Sequence, residues 1–508
     1  IILLLTGCGK KVEYDPNNFL ETGDKIVKEK ITIRMFAPLH SLHSREGYNA
    51  MRLFKEMEEI TNIHIEWSLA PVQSYDEIRA TQWQSKNKVD AFFLYNSLED
   101  VVRYGQNGTI YELTDYIDKY APNYNSILEA NPSYRTEATF NGKMYSMLSI
   151  NDVPRDQTFK QFINKKWLDN LGLDVPTTTE EYYEVLKAFK NGDPNGNGIP
   201  DEIPLSSASL KQTRNFLMSA FGYVSTGLEV NDDIVQFVAK TENYQEYLKY
   251  TNKLYAEHLL DNNTYAMTES DLAGKGSLVG SFDGAAGYLI AGESRDADYI
   301  ALPPLTSPFN NQQMWLGFQN VNPSAIIIPK TSPYVKELIR WMDFLYSPLG
   351  IELQSFGKAG EDFTWDDEGH TSFTFNVPKG MNIEEFRGGI TPAVGLGVVA
   401  YFSKEIALKD NNIYTQRINK QVDDAHYLDY LKIPLPILTF TNPENTQLAI
   451  IKTDLDIYMA VIEQKFVTGQ LALNPKNWQD HLDNLTKLKV NDLLNIYQTA
   501  YNRRRDSL

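Results

Sequence analysis

An α/β fold with helical crossovers between strands is what residues 31–95 predict, on three observations. Ile31, Ile33 and Met35 alternate with Thr32 and Arg34, the period of a half-buried strand, and Ile63, Ile65, Trp67 and Leu69 alternate in the same way. Between them Met51, Phe54, Met57 and Ile60 recur at helical spacing, and a second helical stretch runs from about 74 to 86. Val89-Asp90-Ala91-Phe92-Phe93-Leu94-Tyr95 is then a nearly continuous apolar strand. Ligands of such sheets gather at the strand ends. This gives positional interest to the two loops that follow strands, Ala37-Pro38-Leu39-His40-Ser41-Leu42-His43 and Tyr95-Asn96-Ser97.

Further along, residues 142–147 read as a turn followed by a strand, and 166–171 and 180–189 as helices. Thr177 with Glu180, behind Pro176, fits a capping box. Residues 247–260 and 335–346 form amphipathic helices with a strand over 324–328 between them. Trp478, Leu482, Leu485, Leu488, Leu493, Leu494, Ile496 and Tyr497 fit one or two closing helices. A chain of 508 residues exceeds what one core usually supports, so two or more lobes are expected. No internal repeat, low-complexity tract or linker divides the body.

The formal net charge of −18 excludes broad attraction to nucleic acid or anionic lipid. The single cysteine, Cys8, excludes an internal disulfide. It stands in Leu5-Thr6-Gly7-Cys8, behind an apolar run, where small residues precede a thiol that a diacylglycerol can cap. Residues 1–8 therefore read as a truncated signal peptide ending in a lipobox, with an apolar end and an incidental cysteine as the plainer alternative. The polar stretch 9–30 is expected to be a flexible tether, with the folded body starting near Ile31. Nothing after Cys8 approaches the roughly 20 apolar residues of a membrane span, so attachment would come through the lipid alone, whose two chains suffice. The 30 Tyr, 24 Phe and 7 Trp suit a protein that stacks rings on sugars, although most will be core.

Asp193-Pro194-Asn195-Gly196-Asn197-Gly198-Ile199-Pro200-Asp201-Glu202 carries the strongest chemistry of the body. Calcium takes six to eight oxygen ligands. Oxygen side chains at the first, third and fifth positions, Gly198 at the sixth and the Ile199 carbonyl at the seventh follow an EF-hand loop. The twelfth position, usually a bidentate Glu, is Pro204, so Asp201 and Glu202 must supply the remaining carboxylates. The sequence predicts a closed structural calcium loop after a helix; a metal-free Gly/Asn/Pro turn is the alternative.

Together these features resemble the extracytoplasmic solute-binding lipoproteins of bacterial carbohydrate ABC transporters, in the calcium-loop subgroup that includes alginate-binding proteins. The resemblance rests on the lipobox, on the calcium loop with Asp201-Glu202-Ile203-Pro204-Leu205, and on the stretches 247–255, Leu302-Pro303-Pro304-Leu305, 339–346, 360–365 and 494–501. It implies a type II periplasmic-binding-protein fold, two α/β lobes with a hinge and a ligand cleft. The first lobe would comprise 31–149 and 309–390, the second 150–308 and 391–508, with crossings near Ile150, Pro308 and Thr391. It implies Ca2+ ligands at Asp193, Asn195, Asn197, Ile199, Asp201 and Glu202. It also implies a monomer on the outer face of the cell membrane that captures a carbohydrate, passes it to ABC permease subunits, and has no part in nucleic-acid binding.

A sugar site needs flat aromatic faces and polar groups for hydroxyls. Position in the inferred fold selects His40, His43, Tyr95, Asn96, Phe282, Asp283, Trp315, Gln319 and Tyr401; Trp315 and Tyr401 are equally natural packing residues, and His40 and His43 equally natural loop histidines. Trp67, Trp167 and Trp341 sit in periodic segments and read as core, and Trp365 with the acids after it as a solvated turn between strands. A secreted glycosidase would need paired carboxylates in a recognisable setting, and none is visible. Neither HExxH, Gly-x-Ser-x-Gly nor a phosphate-binding glycine loop occurs, so an enzyme is disfavoured. A calcium-stiffened adhesion or scaffold lipoprotein is the remaining alternative.

Overall fold

In the computed structural model, which describes residues 14–85 and 88–506, the two alternating segments become long parallel strands. β1 (Ile31–Leu39) pairs with β2 (Ile63–Pro71) from Ile31 opposite Ile63 to Leu39 opposite Pro71. β3 (Ala91–Phe93) lies parallel on the other side of β1, and Ile326–Ile327 closes the sheet antiparallel to β3. α1 (Arg52–Thr61) makes the crossover between β1 and β2, burying Leu53, Phe54 and Met57 on one face. The Phe54 ring stacks on Trp341 of the helix Val335–Phe344 at 6.1 Å, and Phe93 meets the same indole edge-on at 5.5 Å. These aromatics fix the register, since a slip of one residue would turn Ile33 and Met35, both fully buried, toward water.

Contacts divide the chain into two units, one running to Ile150 and resuming at Val321–Phe402, the other formed by Asn151–Asn320 and the chain from Ser403 onward. The second and third passages thus fall after Asn320 and Phe402, later than Pro308 and Thr391. Hydrogen bonds explain both. The Asn310 amide donates to the Ser219 carbonyl (3.1 Å) and the Phe318 N–H to that of Gln157 (2.8 Å), holding this stretch in the second unit. In the first unit Ile150 N–H donates to the Ala400 carbonyl (2.7 Å), and Ala400 N–H to the Gln354 side chain (2.8 Å).

The second unit is built on a mixed sheet in the order Tyr299–Ala301, Lys160–Asn164, Val279–Gly284, Ile203–Leu205. Only the last pair is parallel. Trp167, Leu186, Phe189, Leu217, Tyr247 and Leu248 belong to the core of this unit, all nearly or fully buried. Each such side chain contributes about 2 kcal/mol.

Several elements differ from the sequence reading. The stretch expected as a tether is docked from Tyr14 onward. Ile26 and Val27 are almost fully buried, Ile26 N–H donates to the Thr61 carbonyl (3.0 Å), and the Arg340 guanidinium binds the carbonyls of Leu20 and Gly23. The capping box lies one residue on. Thr178 Oγ1 accepts from Glu181 N–H (3.2 Å) while the Glu181 carboxylate accepts from Thr177 N–H (2.8 Å) and Thr178 N–H (3.2 Å). After the turn at Asn141 and Gly142 the strand waits until Ser149–Asn151, because Lys143 bonds back to Phe140. The helix expected at 247–260 is Glu242–Ala256, capped by Thr241 and ended before the left-handed His258. The 26-residue helix Asn442–Val467 carries no sharp apolar face, with Ile450, Ile457 and Val461 exposed, so periodicity missed it. Its capping box, Thr441 with Glu444 across Pro443, was the available signal.

Candidate functional site

The helix Thr179–Asn191 delivers the chain to Asp193, whose φ of 47° begins a curl continued by Gly196 (70°) and Gly198 (74°). The Asp193 carboxylate accepts from the N–H groups of Asn197 (3.1 Å) and Gly198 (3.0 Å), and Asn197 Oδ1 from Ile199 N–H (2.6 Å). The amides of Asn195 and Asn197 donate to Asp201 at 3.1 and 3.2 Å. Asn170 pins the curl from outside through the Pro194 carbonyl (2.8 Å). Glu202 is the exception, since both its carboxylate oxygens are buried without a hydrogen bond of good geometry, its own N–H and that of Asn195 lying only near enough to act electrostatically. Burial pushes its carboxyl above the ordinary value of 4.5, nearby Asp201 and Asp193 add to this, and neighbouring backbone amides offset only part. Among the described residues no three His, Cys, Asp or Glu are grouped for a metal ion. The loop's oxygens come in large part from Asn and backbone, and an all-oxygen set around an unpaired carboxylate fits a hard cation such as Ca2+.

In the first unit, the loop after β1 folds its histidines onto itself. His43 is buried, with Nδ1 accepting from His40 N–H (3.1 Å) and Nε2 2.8 Å from the Val394 carbonyl. Burial lowers its pKa, and the neutral ring with its proton on Nε2 satisfies both bonds. His40 is half-buried over Gly395 (φ 78°), where a Cβ would come within 2.3 Å of the imidazole. The loop after β3 behaves differently. Leu94 and Tyr95 are both left-handed (φ 61° and 51°), and the Tyr95 side chain is left 45 % exposed. Asn96 turns inward, its amide donating to the Phe92 (3.1 Å) and Ser324 (3.0 Å) carbonyls. Ser97 then caps the helix Leu98–Gln106 through Asp100 N–H (3.3 Å). Tyr48, whose ring lies 5.7 Å from His43, donates its buried hydroxyl to the Pro38 carbonyl (2.5 Å) near the end of β1, and burial pushes its pKa well above the ordinary value. Tyr401, half-buried, donates its N–H to Gln354 (3.2 Å).

In the second unit, Phe282 is fully buried against Phe162 (5.5 Å) and Tyr299 (5.0 Å). Asp283 accepts from the Thr213 hydroxyl (2.9 Å) and Gln212 N–H (3.3 Å). Those groups open the helix Lys211–Ser219, whose N-cap position holds Leu210 at φ 57° with no capping side chain of its own. Asp283 supplies the missing cap, and burial pushes its carboxyl upward. Trp315 is buried between Phe216 (5.2 Å) and Tyr427 (4.8 Å), its indole N–H donating to the Phe159 carbonyl (2.8 Å). Gln319 is exposed and donates to the Leu435 carbonyl (3.2 Å). Beside it lies a pair that sequence reasoning missed, Phe159 (36 % exposed) edge-on to half-buried Phe318 at 5.6 Å. The position of Phe318 next to Gln319 was the signal available.

A family model described as bacterial extracellular solute-binding protein matches residues 41–350. The chain is 26 % identical to the fructooligosaccharide ABC transporter substrate-binding protein FusA of Streptococcus pneumoniae, over 99 % of this chain and 96 % of that protein. The structure of FusA in complex with kestose superposes with a TM-score of 0.79 at 25 % identity, covering 94 % of this chain and all of that one. A FusA EF-hand mutant in complex with fructo-nystose gives 0.79 at 24 % identity, over 94 % of this chain and 100 % of that one. Alginate-binding protein AlgQ2 without calcium ion shares the fold, with a TM-score of 0.75 at 19 % identity over 94 % of this chain and 99 % of that one.

Proposed function

This chain belongs to the bacterial extracellular solute-binding protein family, and we propose from that membership that it captures an oligosaccharide outside the cytoplasm and delivers it chemically unaltered to an ABC importer. The observation that carries this reading is the match over nearly the whole length to a fructooligosaccharide-binding relative. It is a binding protein and not an enzyme. The formal charge of −18 favours a neutral saccharide over a polyuronate. In the first unit Tyr95 contacts the ligand, on loops that Asn96 and His43 hold in place, with His40 and Tyr401 as further candidates; in the second unit Gln319 does, with Phe159 and Phe318 as an added apolar platform, while Trp315, Asp283 and Phe282 serve the packing of that unit. The test is calorimetric titration with fructooligosaccharides, neutral glucans and oligogalacturonides. Saturable binding of a neutral oligosaccharide supports the proposal, and binding of uronates alone opposes its substrate class.

The loop from Asp193 to Glu202 holds a structural Ca2+ through Asp193, Asn195, Asn197, the Ile199 carbonyl, Asp201 and Glu202. Support comes from the unpaired Glu202 carboxylate and from the EF-hand and calcium named for the relatives. Extracellular calcium loops bind with Kd on the order of 10⁻⁴ to 10⁻³ M, so millimolar Ca2+ adds about 1 kcal/mol. Cys8, outside the described residues, carries the lipid anchor, and no helix among the described residues is long and apolar enough to cross a membrane. The protein works as a monomer alongside the permease subunits.

A further inference from the structure

The stretch from Tyr14 to Glu29 is clasped to the first unit at both ends and in the middle. Tyr14 meets Tyr334 edge-on at 5.5 Å, and Phe19 meets Tyr120 at 5.4 Å. Asn18 closes the strap on itself, donating to the Glu29 carbonyl (2.8 Å) and accepting from its N–H (2.7 Å). Asn62 binds the carbonyls of Val27 (3.1 Å) and Lys28 (3.2 Å), and Arg340 holds those of Leu20 and Gly23 from beneath. Only six residue steps separate Cys8 from Tyr14, and six steps span at most about 20 Å whatever conformation they take. Undocked to Lys30, the leash would have 22 steps and a reach of about 75 Å.

We infer that the strap is a device that shortens the lipid leash, so that the face of the first unit formed by the strap and the helices Thr114–Tyr120 and Val335–Phe344 lies against the bilayer headgroups. The inference rests on the reading that Cys8 carries the lipid. Attraction to lipid is not what sets the orientation. Lys119 is paired with Glu21 (3.2 Å), and Lys25 and Lys28 alternate in the strap with Asp24 and Glu29. The constraint is the length of the leash.

The lone cysteine makes the test direct, because a maleimide-headed lipid in vesicles couples the full chain at Cys8 only. A small fraction of amine-reactive lipid then records which lysines touch the surface, read by mass spectrometry. Beyond the leash's own Lys10 and Lys11, adducts are expected on Lys25, Lys28, Lys119 and Lys336. Arg340→Ala, which releases the strap, should spread them severalfold more widely over the other lysines. An insertion of about sixteen Gly and Ser residues ahead of Tyr14 should do the same with the strap intact and the fold untouched. An adduct map that is equally wide in the wild type and in the insertion variant overturns the inference. Whether cells acylate Cys8 is read separately by fatty-acid labelling. Absence of label would remove the anchor while leaving both the chemically coupled geometry and oligosaccharide binding to stand on their own tests.

Discussion

Tyr95 in the first unit and Asp283 in the second both sit at or just after the end of a strand and beside the N-terminus of a helix, yet only one of them is left available to a ligand. The helix after Tyr95 brings its own cap, Ser97, so the tyrosine ring is not consumed by the fold and remains exposed. The helix beside Asp283 opens on a left-handed leucine that cannot cap, and the carboxylate is drawn in to satisfy Thr213 and Gln212. Whether a polar or aromatic residue at a strand end can bind is thus decided by a neighbouring helix and its capping residue.

The comparison breaks most visibly at Asp283. Asp283→Ala should cost about 2 kcal/mol in chemical denaturation, because it strands the half-buried Gln212 N–H and leaves the buried Thr213 hydroxyl only Gln161 as a partner, and Asp283→Asn about half of that. Tyr95→Ala should leave the melting temperature unchanged and weaken oligosaccharide binding about tenfold by calorimetry, the worth of one stacked ring. If instead Tyr95→Ala destabilises and Asp283→Asn only weakens binding, the assignment of roles is reversed. Ser97→Ala should cost about 1 kcal/mol and also loosen the Tyr95 turn, seen as a smaller affinity loss than that of Tyr95→Ala.

A second carboxylate sharpens the contrast, because Glu202 is a half-buried residue whose carboxylate oxygens are nonetheless enclosed, without the partners that Asp283 has. Its folded pKa lies above the ordinary 4.5, so the folded state binds the proton more tightly than the unfolded one. In chelator the charged form then destabilises the fold. That cost is full above the folded pKa and disappears as pH falls through the interval down to about 4.5. Calcium should cancel it. Relative to Glu202→Gln, the calcium-free wild type should gain stability on acidification through that window. The variant should lose the thermal shift of about 1 kcal/mol that millimolar Ca2+ gives the wild type. Equal calcium shifts in both proteins would remove Glu202 from the site.

Much of the architecture was legible where periodicity is strong. The alternation from Ile31 and the helical spacing from Met51 locate β1, β2 and α1 within a few residues, and the curl of residues 193–202 follows from Asp, Asn and Gly at fixed offsets. What was illegible depended on partners distant in sequence. Nothing local to Asp283 announces that Leu210 fails to cap a helix, nor does anything near Ile26 announce that Arg340 will hold its strap down. Polar composition suggested a leash, but two buried apolar residues, the Arg340 guanidinium, the Asn62 amide and two ring contacts dock it.

The central claim is capture without chemistry, and calorimetric titration with fructooligosaccharides followed by mass analysis of the recovered sugar tests it most directly. The account predicts saturable one-to-one binding and a ligand recovered at its original mass. Shortened sugar, or no saturable binding by any neutral oligosaccharide in the panel, would contradict it.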